Sequence, residues 1–443
     1  MFEKLDGFDK DKLYIGYDLG MDYGEISYFT TYDKELKTVI SREDATLFHF
    51  PSTLVKYGNH YYAGMDAMKY KDVEGAIVFE RVLELALTQP SLVVNGTRYE
   101  TVTLLVLFLK LTLKQLGESY ASQKAQAIVF TTYVAETKEY QMPLYEVLGK
   151  AAKLVFSKKT KVYLQTRSES IYYYLFYQED ALYEGNALVY EYQQECLKSF
   201  FVQIKGQTAP YGVQITSDAH ESLAVMKNSI TQLKVPRFKK QLDETFYQII
   251  NKQNTTKQYQ VAYLIGDGFK GEWLEQSLDI LCEKARIFQG NNMYSLGACY
   301  QLLQMLEPKT SFEEYLLVEK DTITYEIGMF TFKQGFLQEE IEESYDLIFK
   351  AGTNYHDCEK IFCLIPEDEM QLVLIARHTY SEVEHTLRIS LEGLPSRQIG
   401  ETKLEVVLRF IMPQELSVSV RDIGIADIVE GSKFMVSEIF RLE

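Results

Sequence analysis

A carboxylate and a glycine stand together at one turn near the start of the chain. In Tyr14-Ile15-Gly16-Tyr17-Asp18-Leu19-Gly20-Met21-Asp22-Tyr23-Gly24-Glu25-Ile26-Ser27-Tyr28-Phe29, apolar residues lead into Asp18-Leu19-Gly20 and alternation resumes at Ile26. The pattern is strand, tight turn, strand. A turn glycine lets backbone N–H groups approach an anion, and an acid beside it can serve a cation or its water. The same residues also make an ordinary turn. Glu169 begins the run Glu169–Tyr177, where an acid is either a reacting group or a charge favoured by the helix dipole. Glu191 ends the apolar run Ala187–Tyr190, and Gly266-Asp267-Gly268 ends the apolar run Val261–Ile265, with Lys270 just beyond. No Ser-His-Asp or Cys-His arrangement stands out. The five cysteines (196, 282, 299, 358, 363) form no CxxC and histidines number six, so structural zinc is not expected.

The elements that must position these residues follow from the pattern. Phe50-Pro51-Ser52-Thr53-Leu54-Val55 and Tyr61-Tyr62-Ala63 read as strands around a turn at Gly58-Asn59, with a helix start after Gly64. Leu104, Leu105, Phe108, Leu111, Thr112 and Gln115 follow helical spacing, and Gly117 stands at a C-cap position. Ala125–Tyr133 and Lys161–Gln165 read as strands, and Lys138–Phe156 as a helix. A second hairpin, Ala187–Tyr192 with Lys198–Ile204, repeats the first about 170 residues later and suggests a duplicated lobe. Helices are expected over 218–232 and 237–253 and from Trp273 to Cys282, with a last helix from Tyr294. Beyond Glu307-Pro308 the period changes to two: Leu387, Ile389 and Leu391, then Leu404, Val406, Leu408 and Phe410, then Leu416, Val418 and Val420, which describes antiparallel strands with one buried face.

Composition bounds the function. The chain has 443 residues, 46% hydrophobic and 25% charged, enough for two or three domains with real cores. A net charge of −17 argues against nonspecific binding to nucleic acid or anionic membrane. The most apolar run, Val102–Leu116, is short and holds Lys110 and Lys114, so it reads as a buried helix and not a membrane span. The N-terminus has no signal-peptide pattern, the cysteines read as reduced core thiols, and a cytoplasmic protein is expected.

Taken in order, these features resemble an Hsp70-type protein of the actin/Hsp70 ATPase superfamily. The opening hairpin resembles that family's first phosphate loop. Glu169–Tyr177 is similar to its connecting helix "E-P-T-A-A-A-L-A-Y", with Glu169, Leu175 and Tyr177 on matching positions. Val261–Gly271 is similar to the adenosine-side strand and glycine turn, and Tyr294–Tyr300 to the "A-V-A-Y-G-A-A" helix. Asp321–Gly328, Lys350–Asn354, Leu391–Pro395, Glu401–Phe410 and Leu416–Asp422 resemble the substrate-binding β domain. The family's helical lid has no counterpart before Glu443.

The resemblance implies a two-lobed α/β actin/Hsp70-type nucleotide-binding domain over 1–307, with lobe I about 1–182 and lobe II about 183–307. A linker at 308–319 and an all-β sandwich at 320–443 follow. It implies catalytic candidates Asp18, Glu169 and Glu191, nucleotide contacts at Gly20, Met21, Tyr23, Gly266, Gly268 and Lys270, no protein-only metal site, and ATP with Mg2+ as cofactors. The second loop departs from the family, because Glu191-Tyr192-Gln193-Gln194-Glu195-Cys196 stands where it has Asp-Leu-Gly-Gly-Gly-Thr. Asp22 adds a repelling charge to the first loop, and the phosphate-contacting lysine has no clear match, Lys71 and Arg81 being the nearest cations. The expectation is therefore a binding protein that engages a protein or peptide through its β domain, with a weak or inactive ATPase site; a working ATP-dependent chaperone with non-standard phosphate contacts is the alternative.

Overall fold

A computed structural model describes residues 12–32, 34–40, 48–117, 125–132, 141–177, 185–193, 196–207, 209–220, 236–290, 292–334, 341–366, 371–398, 400–425 and 428–442. The fold is mixed α/β with a β-rich C-terminal region. It divides into two compact units, apart from Met1: a larger one of Phe2–Val202 and Thr216–Phe312, and a smaller one of Gln203–Ile215 and Glu313–Glu443.

In the larger unit, β1 (Leu13–Leu19) and β2 (Tyr23–Thr30) form an antiparallel hairpin. Helix α1 (Thr101–Leu113), β3 (Ala125–Thr131), α2 (Gln141–Val155), β4 (Lys161–Gln165) and α3 (Arg167–Phe176) follow. β3 pairs in parallel with β1 and β4 in parallel with β3, giving the sheet order β4-β3-β1-β2. All seven residues of β1 are buried, as a strand covered on both faces requires. Tyr17, Phe50, Phe79, Phe108 and Phe130 fill the core on one side; Tyr14, Phe29, Ala127 and Val129 pack with Ala298, Cys299 and Leu302 on the other.

The same plan recurs. β5 (Ala187–Gln193) and β6 (Cys196–Lys205) make a second hairpin, and the chain passes to the smaller unit within β6 and returns within β7 (Tyr211–His220). After α4 (Pro236–Asn254) come β8 (Val261–Ile265), α5 (Gln276–Lys284), β9 (Arg286–Gly290) and α6 (Met293–Leu306). β8 is parallel to β5, and β9 to β8, so the order β9-β8-β5-β6 repeats β4-β3-β1-β2. Helices α3 and α6 occupy corresponding places and touch through glycine. A Cβ on Gly297 would lie 2.0 Å from the Ser170 carbonyl oxygen, and one on Gly16 would lie 2.1 Å from that of Ser295. Tyr172 packs on Phe312, and Tyr174 on Tyr263 and Tyr300.

The smaller unit contains β10 (Tyr315–Val318), which runs parallel to the start of β7 from Tyr211 to Gln214. Beyond it lie β11 (Tyr325–Gln334), β12 (Ile341–Phe349), β13 (Glu359–Leu364), β14 (Gln371–His378), β15 (Glu384–Ser390), β16 (Leu404–Met412), β17 (Glu415–Asp422) and β18 (Met435–Arg441). They form two four-stranded antiparallel sheets, ordered β12-β11-β14-β15 and β13-β16-β17-β18. Alternate residues such as Leu404, Val406, Leu408 and Phe410 enter one shared core, so the period-two reading of this region holds.

Some local expectations change. Asp218–His220 end a strand and do not start a helix; 221–232 lie outside the described residues, as do 1–11. The helix expected from Trp273 begins at Gln276, because Trp273 turns into the core beside Phe269. Cys299 and Cys358 are buried, but Cys196, Cys282 and Cys363 are exposed, Cys363 because it lies on the outward face of β13. Among the described residues no helix is long and apolar enough to cross a membrane.

Candidate functional site

β1 and β5 each carry an acid just before their turn, and the two acids share one cation. Asp18 is 5% exposed and Glu191 4%, so neither is a solvated turn residue. Between them lies Arg167, the first residue of α3. Its Nη1 donates to Glu191 Oε1 at 2.7 Å and its Nη2 to Asp18 Oδ2 at 3.1 Å. The guanidinium also stacks over the ring of Tyr294, 4.4 Å from its centre. A planar fork with several donors suits this bridging, as an ammonium would not. Burial pushes the Asp18 carboxyl up to about 6, against the pull of Arg167; Glu25 and Glu191 add to the rise.

A second set of charges continues from the first hairpin. Glu25 stands opposite Asp18 across the β1–β2 ladder and is 2% exposed. It accepts from His49 Nε2 at 3.0 Å and from the Ser295 hydroxyl. His49 Nδ1 lies 3.6 Å from Asp267 Oδ1, and Asp267 pairs with Lys270 at 2.9 Å. Burial alone would lower the His49 pKa, but the carboxylates of Asp267 and Glu25 outweigh it and raise it to about 10. Asp267 moves the other way: burial opposes its ionisation, yet His49 and Lys270 hold it down at about 2.

The other expected site residues have structural tasks. Gly20 N–H donates to the Tyr23 carbonyl at 2.9 Å and closes a four-residue turn; a Cβ there would meet that oxygen at 2.6 Å. Met21 packs into the core and also lines the cleft beside Asp18, together with Gly20 and Tyr23. Glu169 caps α3: its carboxylate accepts from Thr166 N–H, and Thr166 Oγ1 accepts from Glu169 N–H. Gly266 (φ 98°) and Gly268 make room for Tyr192 of β5, whose ring would lie 2.4 Å from a Cβ on Gly268. Tyr192 there joins Phe269 and Trp273. Lys270 is engaged by Asp267. Lys71 pairs with Glu80, and Arg81 with Asp22 and Glu84, so each has a local carboxylate.

Gln193 pairs with Cys196, which leaves two residues, Gln194 and Glu195, for the connection; both lie outside the described residues. The open space left between the hairpins is about 240 Å³, lined by Asp18, Tyr23, Arg167, Gln193 and Lys198 among others.

Comparison with known proteins places the sequence. Residues 35–320 match the "Family of unknown function (DUF5716) C-terminal". The chain belongs to that family. Residues 322–442 match the "Domain of unknown function (DUF8552)", and no curated protein matches the chain. In this DUF5716 member, Arg167, Glu191 and the Gly266–Lys270 turn fall within the family match, while Asp18 and Gly20 precede it. Arg167 and His49 are absent from the sequence-based site. Two signals for them exist. A cation in the first turn of a helix opposes the dipole, so Arg167 requires a carboxylate partner. A lone histidine beside Phe50, which enters the core, must be satisfied when buried.

Proposed function

We propose that this DUF5716 chain is an Hsp70-like, cytoplasmic protein-binding scaffold whose ATPase-type site has become an internal ion-pair lock. The observation that carries this is Arg167, buried between Asp18 and Glu191. In an actin/Hsp70-type site those two acids would hold Mg2+ and its water, and the turns around Gly20 and Gly266 would face the nucleotide.

The residues present do not fit Mg-ATP. Mg2+ needs oxygen ligands and several retained waters in octahedral geometry, and a guanidinium already spans the two carboxylates. No group of three or more potential ligands able to hold a metal occurs among the described residues. Tyr192 takes the space beside Gly268, and the remaining 240 Å³ falls below the roughly 300–1,000 Å³ of small-molecule sites. Binding is then the task of the C-terminal β region, whose two sheets form an independent core and would engage a protein or peptide partner.

The test is calorimetric titration of the full chain with Mg-ATP, together with a phosphate-release assay. No binding heat and no phosphate release are expected at millimolar nucleotide. Micromolar affinity with turnover abolished by Asp18→Asn would overturn the scaffold reading in favour of a chaperone cycle.

A further inference from the structure

The larger unit carries a second concave surface, on the opposite side of β3 from the hairpins in sheet order. β4 ends its sheet among the described residues, and α2 passes beside it. Between them lies a groove of about 600 Å³. Leu148 and Phe156 form its nearly buried floor. Tyr145, 56% exposed, and Val162, 39% exposed, form its apolar walls. Gly149 leaves a gap in the α2 wall, where an added Cβ would meet nothing within 4 Å.

The groove is locally basic. Between Pro143 and Gln165 the sequence has five lysines (150, 153, 158, 159, 161) and one acid, Glu146, in a chain of net charge −17. Glu146 is answered by Lys150 at 3.2 Å. Lys153 and Lys158 line the groove itself, and Lys159 is exposed beside it. An edge strand presents backbone donors and acceptors on one side, and side chains of an added strand alternate, so every second one can enter an apolar groove.

We propose that this groove takes an extended, acidic segment of a partner protein as an added strand on β4, with apolar side chains between β4 and α2 and carboxylates on Lys153 and Lys158. Attraction between its carboxylates and these lysines, together with the apolar walls, directs such a segment to this groove. A membrane surface fits less well, because the apolar floor is recessed between a helix and a strand. This surface stands apart from the ion-pair lock and holds whichever way the nucleotide titration falls.

The experiment uses the full chain and a fluorescein-labelled peptide that alternates glutamate with valine, isoleucine and phenylalanine, read by fluorescence anisotropy. Saturable binding is expected, weakening as salt is added. Lys153→Glu with Lys158→Glu should lower affinity about tenfold. Gly149→Phe, whose Cβ meets nothing within 4 Å and which replaces a poorer helix former, should block the groove without unfolding it, and serves if the charge-reversed variant fails to fold. N-methylation of alternate peptide amides should abolish binding. The proposal is overturned by equal binding of a lysine-for-glutamate peptide, by indifference to N-methylation, or by no binding up to about 1 mM. It is overturned equally if phosphatidylserine vesicles, or a second copy of the chain seen by sedimentation, engage the lysines and the peptide does not.

Discussion

The two hairpins have one topology and different electrostatics. β1–β2 is flanked by parallel β3, and β5–β6 by parallel β8. Each places an acid before its turn. In the first hairpin, however, Asp18 faces Glu25 across the ladder, whereas in the second Glu191 faces Lys198. The first therefore buries two acids of its own, and its cations come from distant elements, Arg167 from α3 and His49 from the stretch before Phe50. The turns differ too: four residues closed by Gly20 in one, two residues in the other. A repeated topology thus places a carboxylate at matching positions of the two hairpins, and a cation from the chain itself bridges them.

Removing that cation tests the comparison most severely. Arg167→Ala leaves Asp18 and Glu191 buried without their shared partner and should cost about 3–5 kcal/mol in urea denaturation. Replacing the whole cluster, with Asp18→Asn, Arg167→Met and Glu191→Gln together, should restore most of that loss, because no ion is then left uncompensated. A triple variant as unstable as Arg167→Ala would mean that the guanidinium acts by packing on Tyr294 and not by charge.

The second hairpin is tested through its aromatic. Gly268→Ala forces a Cβ against the buried Tyr192 ring and should destabilise by about 1–3 kcal/mol. Tyr192→Leu in the same chain should relieve part of this, measured by the same denaturation. If the two changes simply add, the glycine serves the turn alone and the contact with β5 is incidental.

Much of this architecture is legible in the sequence, and the reasons are local. Val261–Ile265 is apolar throughout because β8 is buried on both faces, and Leu404 to Phe410 alternates because one face of β16 is solvated. The helical spacing of Leu104, Leu105 and Phe108 marks the buried side of α1. The candidate acids Asp18 and Glu191 stand out by their place in matching hairpins. What joins them does not, because Arg167 lies 149 residues from Asp18 in sequence and 24 from Glu191. Glu169, two residues on, draws attention by its type, yet the fold uses it to cap the helix that Arg167 begins. The Gly266–Gly268 pair is visible as a turn, but Tyr192, which makes both glycines necessary, arrives from a strand more than seventy residues earlier.

The titrating groups give each side of the first hairpin its own pH window. His49 is raised in the folded chain from 6.5 to about 10, so its stabilisation is complete below pH 6.5 and is lost as pH rises through 10. Asp18 is raised from 3.8 to about 6; the folded state holds its proton more tightly, and stability falls as pH rises between those values. Asp267 is lowered from 3.8 to about 2, so its contribution is present above 3.8 and lost as pH falls toward 2. Denaturation midpoints across pH should show His49→Gln flattening the alkaline decline and Asp18→Asn flattening the decline between pH 4 and 6. A His49→Gln profile parallel to the parent would mean that the Glu25–His49–Asp267 chain carries no net charge coupling.

The smallest effect separates Glu169 from the acids it resembles in sequence. Its carboxylate accepts the Thr166 N–H, so Glu169→Ala should cost about 1 kcal/mol, the value of a lost cap. Glu169→Gln retains an amide oxygen for that bond and also completes a capping box, and should sit within about 0.5 kcal/mol of the parent. A residue that works as a carboxylate would not tolerate the amide. If Glu169→Gln were as damaging as Glu169→Ala, the charge and not the cap would be what this position supplies. Glu169 would then belong with Asp18 and Glu191 around Arg167, and the lock would need a third acid.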